Sequence, residues 1–281
     1  MRQAEWVVAG YFVYTAALAL ILPLRPPIPV VTIALNTVVI GGLVLLAWAE
    51  SLRHVEFLRV LRDWYPLSLF LLAYREMGWF APSRHTYRLE NLFEGWDKAL
   101  LNDLGLKRLI EVAGPVFPSV LELAYCLVYA VPAFSLAMLY VYRKSARSQA
   151  LLLRAALGVL LVYAMFPYFP SEPPRTVFPG QDFPAYDTLI RRFNWWLLGG
   201  YGIHTSVFPS AHVSGAFSCA FAMIGALPEH PWVGRFLVAL ATLIATATVY
   251  GRYHYLADAL AGFGVGVLAQ AIAAACERGR R

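Results

Sequence analysis

Residues 255–276 read "YLADALAGFGVGVLAQAIAAAC", a stretch in which Asp258 is the only charged side chain. At 1.5 Å per residue, twenty-two helical residues reach about 33 Å, enough to cross the hydrocarbon of a bilayer. A strand of this composition would leave its backbone unpaired in lipid, so the stretch is read as a helix. Seven further runs follow the same rule: Trp6–Leu24, Val30–Ala49, Trp64–Phe80, Phe117–Tyr142, Leu151–Phe169, Val213–Leu227 and Trp232–Tyr250. Composition agrees, with 59% hydrophobic and 14% charged residues over 281 positions, where a soluble domain carries about 25% charge. Mean hydropathy is +0.58. The sequence predicts an all-α, polytopic membrane protein with about eight transmembrane helices.

Basic residues set the expected orientation. Arg2, the group Arg53, Arg59 and Arg62, the turn Arg143, Lys144 and Arg147, then Arg235 and the tail Arg278, Arg280 and Arg281 fall on one side. Dense basic clusters in short loops mark the cytoplasm. Both termini are therefore expected inside, and the long segments 81–116 and 170–206 outside, in a multi-pass protein of the cell membrane. This bias accounts for the net charge of +6 without a nucleic-acid partner. The first run lacks a small-residue cleavage site and reads as a retained anchor. Cys126, Cys219 and Cys276 all fall inside apolar runs, which suits packing better than a disulfide framework or a zinc cluster.

The two outer segments differ in kind. "NLFEGWDKALLNDLGLKRLIE" (91–111) mixes apolar and charged residues at helical spacing. It reads as an interfacial helix with Trp96 near the headgroups, or else as a lid over a lipid site. "PSEPPRTVFPGQDFP" (170–184) and "NWWLLGGYG" (194–202) read as an irregular surface loop.

Chemistry gathers where this loop meets the last three runs. In "FPSAHV" (208–213), Ser210 is a good N-cap and His212 lies in the first turn of the helix it starts. Free amides and the positive end of the helix dipole suit a phosphate there. In "VYGRYHYLAD" (249–258), His254 and Asp258 are four apart, so on a helix they share a face. A carboxylate on one ring nitrogen makes the other a better base or nucleophile. Arg175 in "SEPPR" offers the planar fork that matches phosphate oxygens. Solvated interfacial histidines, or a zinc site built from two histidines and an aspartate, are the competing readings. Against them, every member falls at one membrane face, where ionisable residues are functional by default.

"FPSAHV" and the series Tyr250, His254, Asp258, Gly262 resemble the second and third motifs of the type 2 phosphatidic acid phosphatase superfamily. The resemblance covers roughly 118–270. It suggests one transmembrane domain over 1–281, with accessory N-terminal helices and an interfacial segment in 1–116 and a phosphatase-like helical core in 117–276. The first motif's lysine and arginine-proline pair are missing, with "PSEPPR" instead, and Thr248 stands where the third motif's arginine usually sits. Both departures resemble the aureobasidin-resistance, inositol phosphorylceramide synthase-like branch, whose members move phosphorylated head groups between lipids. By that resemblance His254 would attack phosphorus to form a phosphohistidine, Asp258 would orient it, and His212 would act as acid and then base. Arg175, Ser210 and Arg252 would bind phosphate, and Tyr250 and Pro174 would touch substrate. No metal or cofactor is implied. The expected partners are a membrane lipid bearing a phosphate or phosphodiester and a lipid or water acceptor, at the extracytoplasmic face. A plain lipid phosphatase, of phosphatidic acid or polyprenyl phosphate type, is the alternative. A transporter or scramblase is a more distant one, which would need broken helices in two repeated halves.

Overall fold

The computed structural model describes residues 1–53, 55–80, 86–203 and 205–279. The tail arginines Arg280 and Arg281, and residues 81–85 and 204 of the two long segments, lie outside the described residues. The described residues form thirteen α-helices: α1 (Gln3–Ile21), α2 (Ile28–Arg53), α3 (Glu56–Met77), α4 (Arg88–Lys98), α5 (Leu106–Glu111), α6 (Val116–Leu127), α7 (Val131–Val141), α8 (Ser148–Met165), α9 (Pro174–Val177), α10 (Leu189–Tyr201), α11 (Ala211–Ala226), α12 (Pro231–Tyr250) and α13 (Leu256–Arg278). Among the described residues, six helical stretches are long and apolar enough to cross a membrane: α1, α2, α6 with α7, α8 with its flanking turns, α12 and α13. The chain is a polytopic, all-helical membrane protein.

The two remaining runs sit on α11 and α3. Helix α11 is a 16-residue apolar helix at the centre of the bundle, packed on α8, α12 and α13. The third run was expected at Trp64–Phe80, but α3 begins at Glu56 and takes in Arg59, Arg62 and Asp63. Hydropathy excluded those residues. The structure admits them because they are paired: Arg62 with Glu5 (2.6 Å) and Glu50, and Asp63 with Arg2 (2.8 Å). Tyr140 on α7 and Gln149 on α8 also donate to Asp63, at 2.7 and 3.1 Å. This network fastens the N-terminal helices to the rest of the bundle.

Close helix contact in the core needs missing side chains. A Cβ on Gly158 of α8 would overlap Ser218 of α11, and one on Gly262 of α13 would overlap the carbonyl of Ser210. These two glycines let α11 sit between its neighbours at backbone distance.

The helices sort charge between the two ends of the bundle. Among the described residues, the end holding the Arg2–Asp63 network carries ten basic and six acidic side chains, and the opposite end ten and eleven. The positive excess is therefore confined to one end, the one farther from the histidines.

Segment 170–206 corrects an expectation. Instead of an irregular loop throughout, it contains the 13-residue α10, started by Thr188, whose hydroxyl accepts the Arg191 N–H. Turn residues flanking "NWWLLGGYG" obscured an amphipathic pattern that buries Arg191 and Asn194 and leaves Trp196 and Tyr201 exposed. In 81–116, α4 and α5 are joined by a π-helical turn at Ala99–Asp103. Leu92, Trp96 and Leu104 face outward, while Phe93, Glu94 and Asp97 are buried.

Candidate active site

The site is built by two helix starts stitched together. Ser210 caps α11, its hydroxyl accepting the Val213 N–H at 3.4 Å, and its own N–H donates to the Asp258 carbonyl at 2.9 Å. Asp258 caps α13, one carboxylate oxygen accepting the Tyr255 N–H at 2.9 Å. The same oxygen lies 3.3 Å from His254 Nδ1. His254 precedes α13 instead of sharing a face of it, so the pair meets because a capping carboxylate reaches back to the residue before the cap.

The loop Gly251–Tyr255 is held on all sides. The N–H groups of Tyr253 and His254 both donate to the Thr248 carbonyl at 2.9 Å. Arg191 donates to the Gly251 carbonyl at 3.3 Å, and the Arg175 N–H to the Arg252 carbonyl at 3.3 Å. Arg252, at φ 61°, occupies the left-handed region that non-glycine residues enter only when surroundings compel it.

His254 Nε2 meets His212 Nδ1 at 3.2 Å, and His254 Nδ1 lies 3.1 Å from the Val207 carbonyl. His212 stacks on Tyr125 with ring centres 5.2 Å apart, and its Nε2 is 3.4 Å from the Tyr129 hydroxyl. Tyr125 stacks in turn on Tyr253 at 4.0 Å. Tyr253 donates to the buried Glu122 at 2.6 Å, which also accepts from Arg191 and Asn194 at 2.8 Å each. Burial first, and the Arg175 charge second, hold His254 down to about 3. The ring is therefore neutral at ordinary pH, with a lone pair free on whichever nitrogen carries no hydrogen.

A cavity of about 340 Å³ opens onto this pair. It reaches along α3 from Tyr74 to Trp64, about 15 Å of helix rise, and its other walls include Tyr129, Ala133 and Tyr163. Ala211 and His212 bring the first turn of α11 to its edge. Among the described residues lining it, Arg175 is the only lysine, arginine, aspartate or glutamate. Its guanidinium donates to the Tyr253 carbonyl at 3.2 Å and stands 5.7 Å over the Tyr253 ring.

The structure thus brings together His254, His212, Asp258, Arg175 and the Ser210 backbone. Three expected contacts are placed elsewhere. Arg252 points away from the cavity into a fully buried ion cluster with Glu94 and Asp97 of α4, and Asp97 also accepts the Leu256 N–H at 2.8 Å. Tyr250 donates to Glu111 at 3.0 Å and does not line the cavity. Pro174 opens α9 and positions Arg175 without lining the cavity itself. Thr248, where the third-motif arginine was missing, is buried and bonds the Ala245 carbonyl. Among the described residues of 81–116, none lines the cavity, and Arg252 ties α4 to the loop through Glu94 and Asp97.

Sequence reading missed Tyr125, Tyr129, Glu122 and the α4 carboxylates. Glu122, Tyr125 and Tyr129 fall three and four apart in a mostly apolar run, a helical spacing of polar atoms that was the available signal. Among the described residues, no group of three or more histidine, cysteine, aspartate or glutamate side chains could hold a metal ion. Residues 98–272 match the family model described as PAP2 superfamily. No curated protein and no solved structure matches the chain.

Proposed function

We propose that this chain, which belongs to the PAP2 superfamily, transfers a phosphorylated head group from a phosphodiester lipid to a second alcohol. Superfamily membership makes it a lipid phosphatase or phosphotransferase, in a family whose members are generally metal-independent. The observation that carries the finer reading is the cavity's charge. A monoester brings nearly two negative charges at neutral pH and a diester one, and among the described residues Arg175 is the single permanent cation facing them. The apolar walls suit acyl chains and exclude water, which protects a phosphoenzyme from hydrolysis.

In this scheme His254 Nε2 attacks phosphorus, and the P–N bond forms as the P–O bond to the departing lipid alcohol breaks. His212 gives that oxygen its proton. The acceptor then loses its hydroxyl proton to His212, its oxygen attacks phosphorus, and the P–N bond returns its electrons to Nε2. Asp258 and the Val207 carbonyl hold the ring through Nδ1, while Arg175 and the first-turn amides of α11 face the phosphoryl oxygens. The confinement of positive excess to the far end supports a cytoplasmic far end and an extracytoplasmic site. Transport draws no support, since the buried charges of Arg252, Glu94, Asp97, Glu122 and Arg191 are paired with one another.

The test is purified protein in detergent, given a short-chain phosphatidyl diester or the corresponding phosphatidic acid, each with and without a lipid alcohol. The expected result is exchange of the diester head group with little free phosphate. Faster release of phosphate from the monoester would establish the plain lipid phosphatase instead.

A further inference from the structure

His254 Nδ1 faces a backbone carbonyl at 3.1 Å, and a carbonyl can only accept, so that nitrogen carries the hydrogen. Nε2 then holds the lone pair, and His212 Nδ1, 3.2 Å away, must supply a hydrogen to it. In a neutral ring this leaves His212 Nε2 as an acceptor, and the hydroxyl of Tyr129 at 3.4 Å is the group that donates to it. One carbonyl thus fixes every hydrogen in a chain running from Tyr129 through His212 to His254.

From this chain we infer that Tyr129 is a positioning residue that lets His212 alternate between acid and base. The inference rests on the phosphoryl-transfer reading of the site. A hydroxyl donates to a neutral His212 and accepts from its imidazolium, so it serves both states without favouring either strongly. A carboxylate there would hold the ring protonated, and a carbonyl would forbid the Nε2 lone pair. Tyr129 lines the cavity beside His212 and is 45% exposed, so its hydroxyl links His212 Nε2 to the cavity. On substrate binding, Nε2 takes one proton through this hydroxyl. Nδ1–H goes to the leaving oxygen as the P–O bond breaks, and Nδ1 regains a proton from the acceptor alcohol. Nδ1 thus gives one proton and recovers one, and the proton that Nε2 took from the cavity leaves through the same hydroxyl as product departs, which returns His212 to its neutral resting state.

The test compares Tyr129→Phe with wild type on two diesters, dodecyl 4-nitrophenyl phosphate and didodecyl phosphate. Nitrophenol leaves without a proton, whereas an alkanol does not. The expected result is a kcat about tenfold lower on didodecyl phosphate with KM within about twofold, and a near-wild-type first-turnover burst of nitrophenol from the nitrophenyl ester. That second arm also shows that the variant is folded. Equal losses on both probes, or no loss on either, overturn the inference while wild-type activity leaves the functional reading standing. A wild type inactive on both overturns that reading and this inference with it.

Discussion

The two walls of the loop Gly251–Tyr255 differ in how they treat charge. Behind it, Arg252, Glu94 and Asp97 neutralise one another, and Arg191, Asn194 and Tyr253 share Glu122. In front, the cavity holds two imidazoles, tyrosine rings and Arg175. Buried charges that pair internally fix a backbone; a charge facing a cavity is available to a ligand. The arginine two residues before His254 is thus a structural brace, while Arg175, seventy-seven residues before that arginine, faces the cavity.

Breaking each wall should fail differently. His254→Ala is expected to abolish turnover and acid-labile phosphate on the protein after rapid quench, and Arg175→Met to lower kcat/KM by about 10²–10³-fold with little change in stability. Arg252→Met leaves two buried carboxylates without their cation, at about 3–5 kcal/mol of stability. Denaturant unfolding in detergent measures it, and adding Glu94→Gln and Asp97→Asn should recover part of the loss. A stable but inactive Arg252→Met protein would reverse the two roles.

The pH dependence sharpens the front wall. Because burial holds His254 down to about 3, its neutral form persists as pH falls and is lost only near that value. Phosphoenzyme formation from the nitrophenyl diester, which needs no proton from His212, should therefore stay flat from about pH 8 to pH 5. A fall with a midpoint near 6.5 would mean that the nucleophile is an ordinary exposed imidazole. The smallest effect belongs to the back wall, where Thr188→Ala should destabilise α10 by about 1 kcal/mol through its lost cap. Tryptophan fluorescence from Trp195 and Trp196 during unfolding reports it, and an unchanged midpoint would deny the cap a role.

Much of this was legible in residues alone because its causes are local. Apolar run length determined the helices and the membrane class, and Ser210, His212, His254 and Asp258 announced themselves by capping chemistry and spacing. The α3 boundary and α10 were obscured because their polar residues find partners far away in the chain: Arg62 with Glu5, and Arg191 with Glu122. No window of sequence contains both members of such a pair.

What the sequence by itself determined is the solvent, the apolar helices and the identity of a histidine pair with its aspartate. Only the tertiary structure decided which cation faces the cavity and which tyrosine faces His212. The left-handed backbone at Arg252 and the carboxylates of α4 turn one arginine away, and a two-residue contact through Arg252 and Tyr253 brings Arg175 in. Side-chain direction depends on backbone dihedrals and on neighbours remote in sequence, and neither is written in the spacing of residues along the chain.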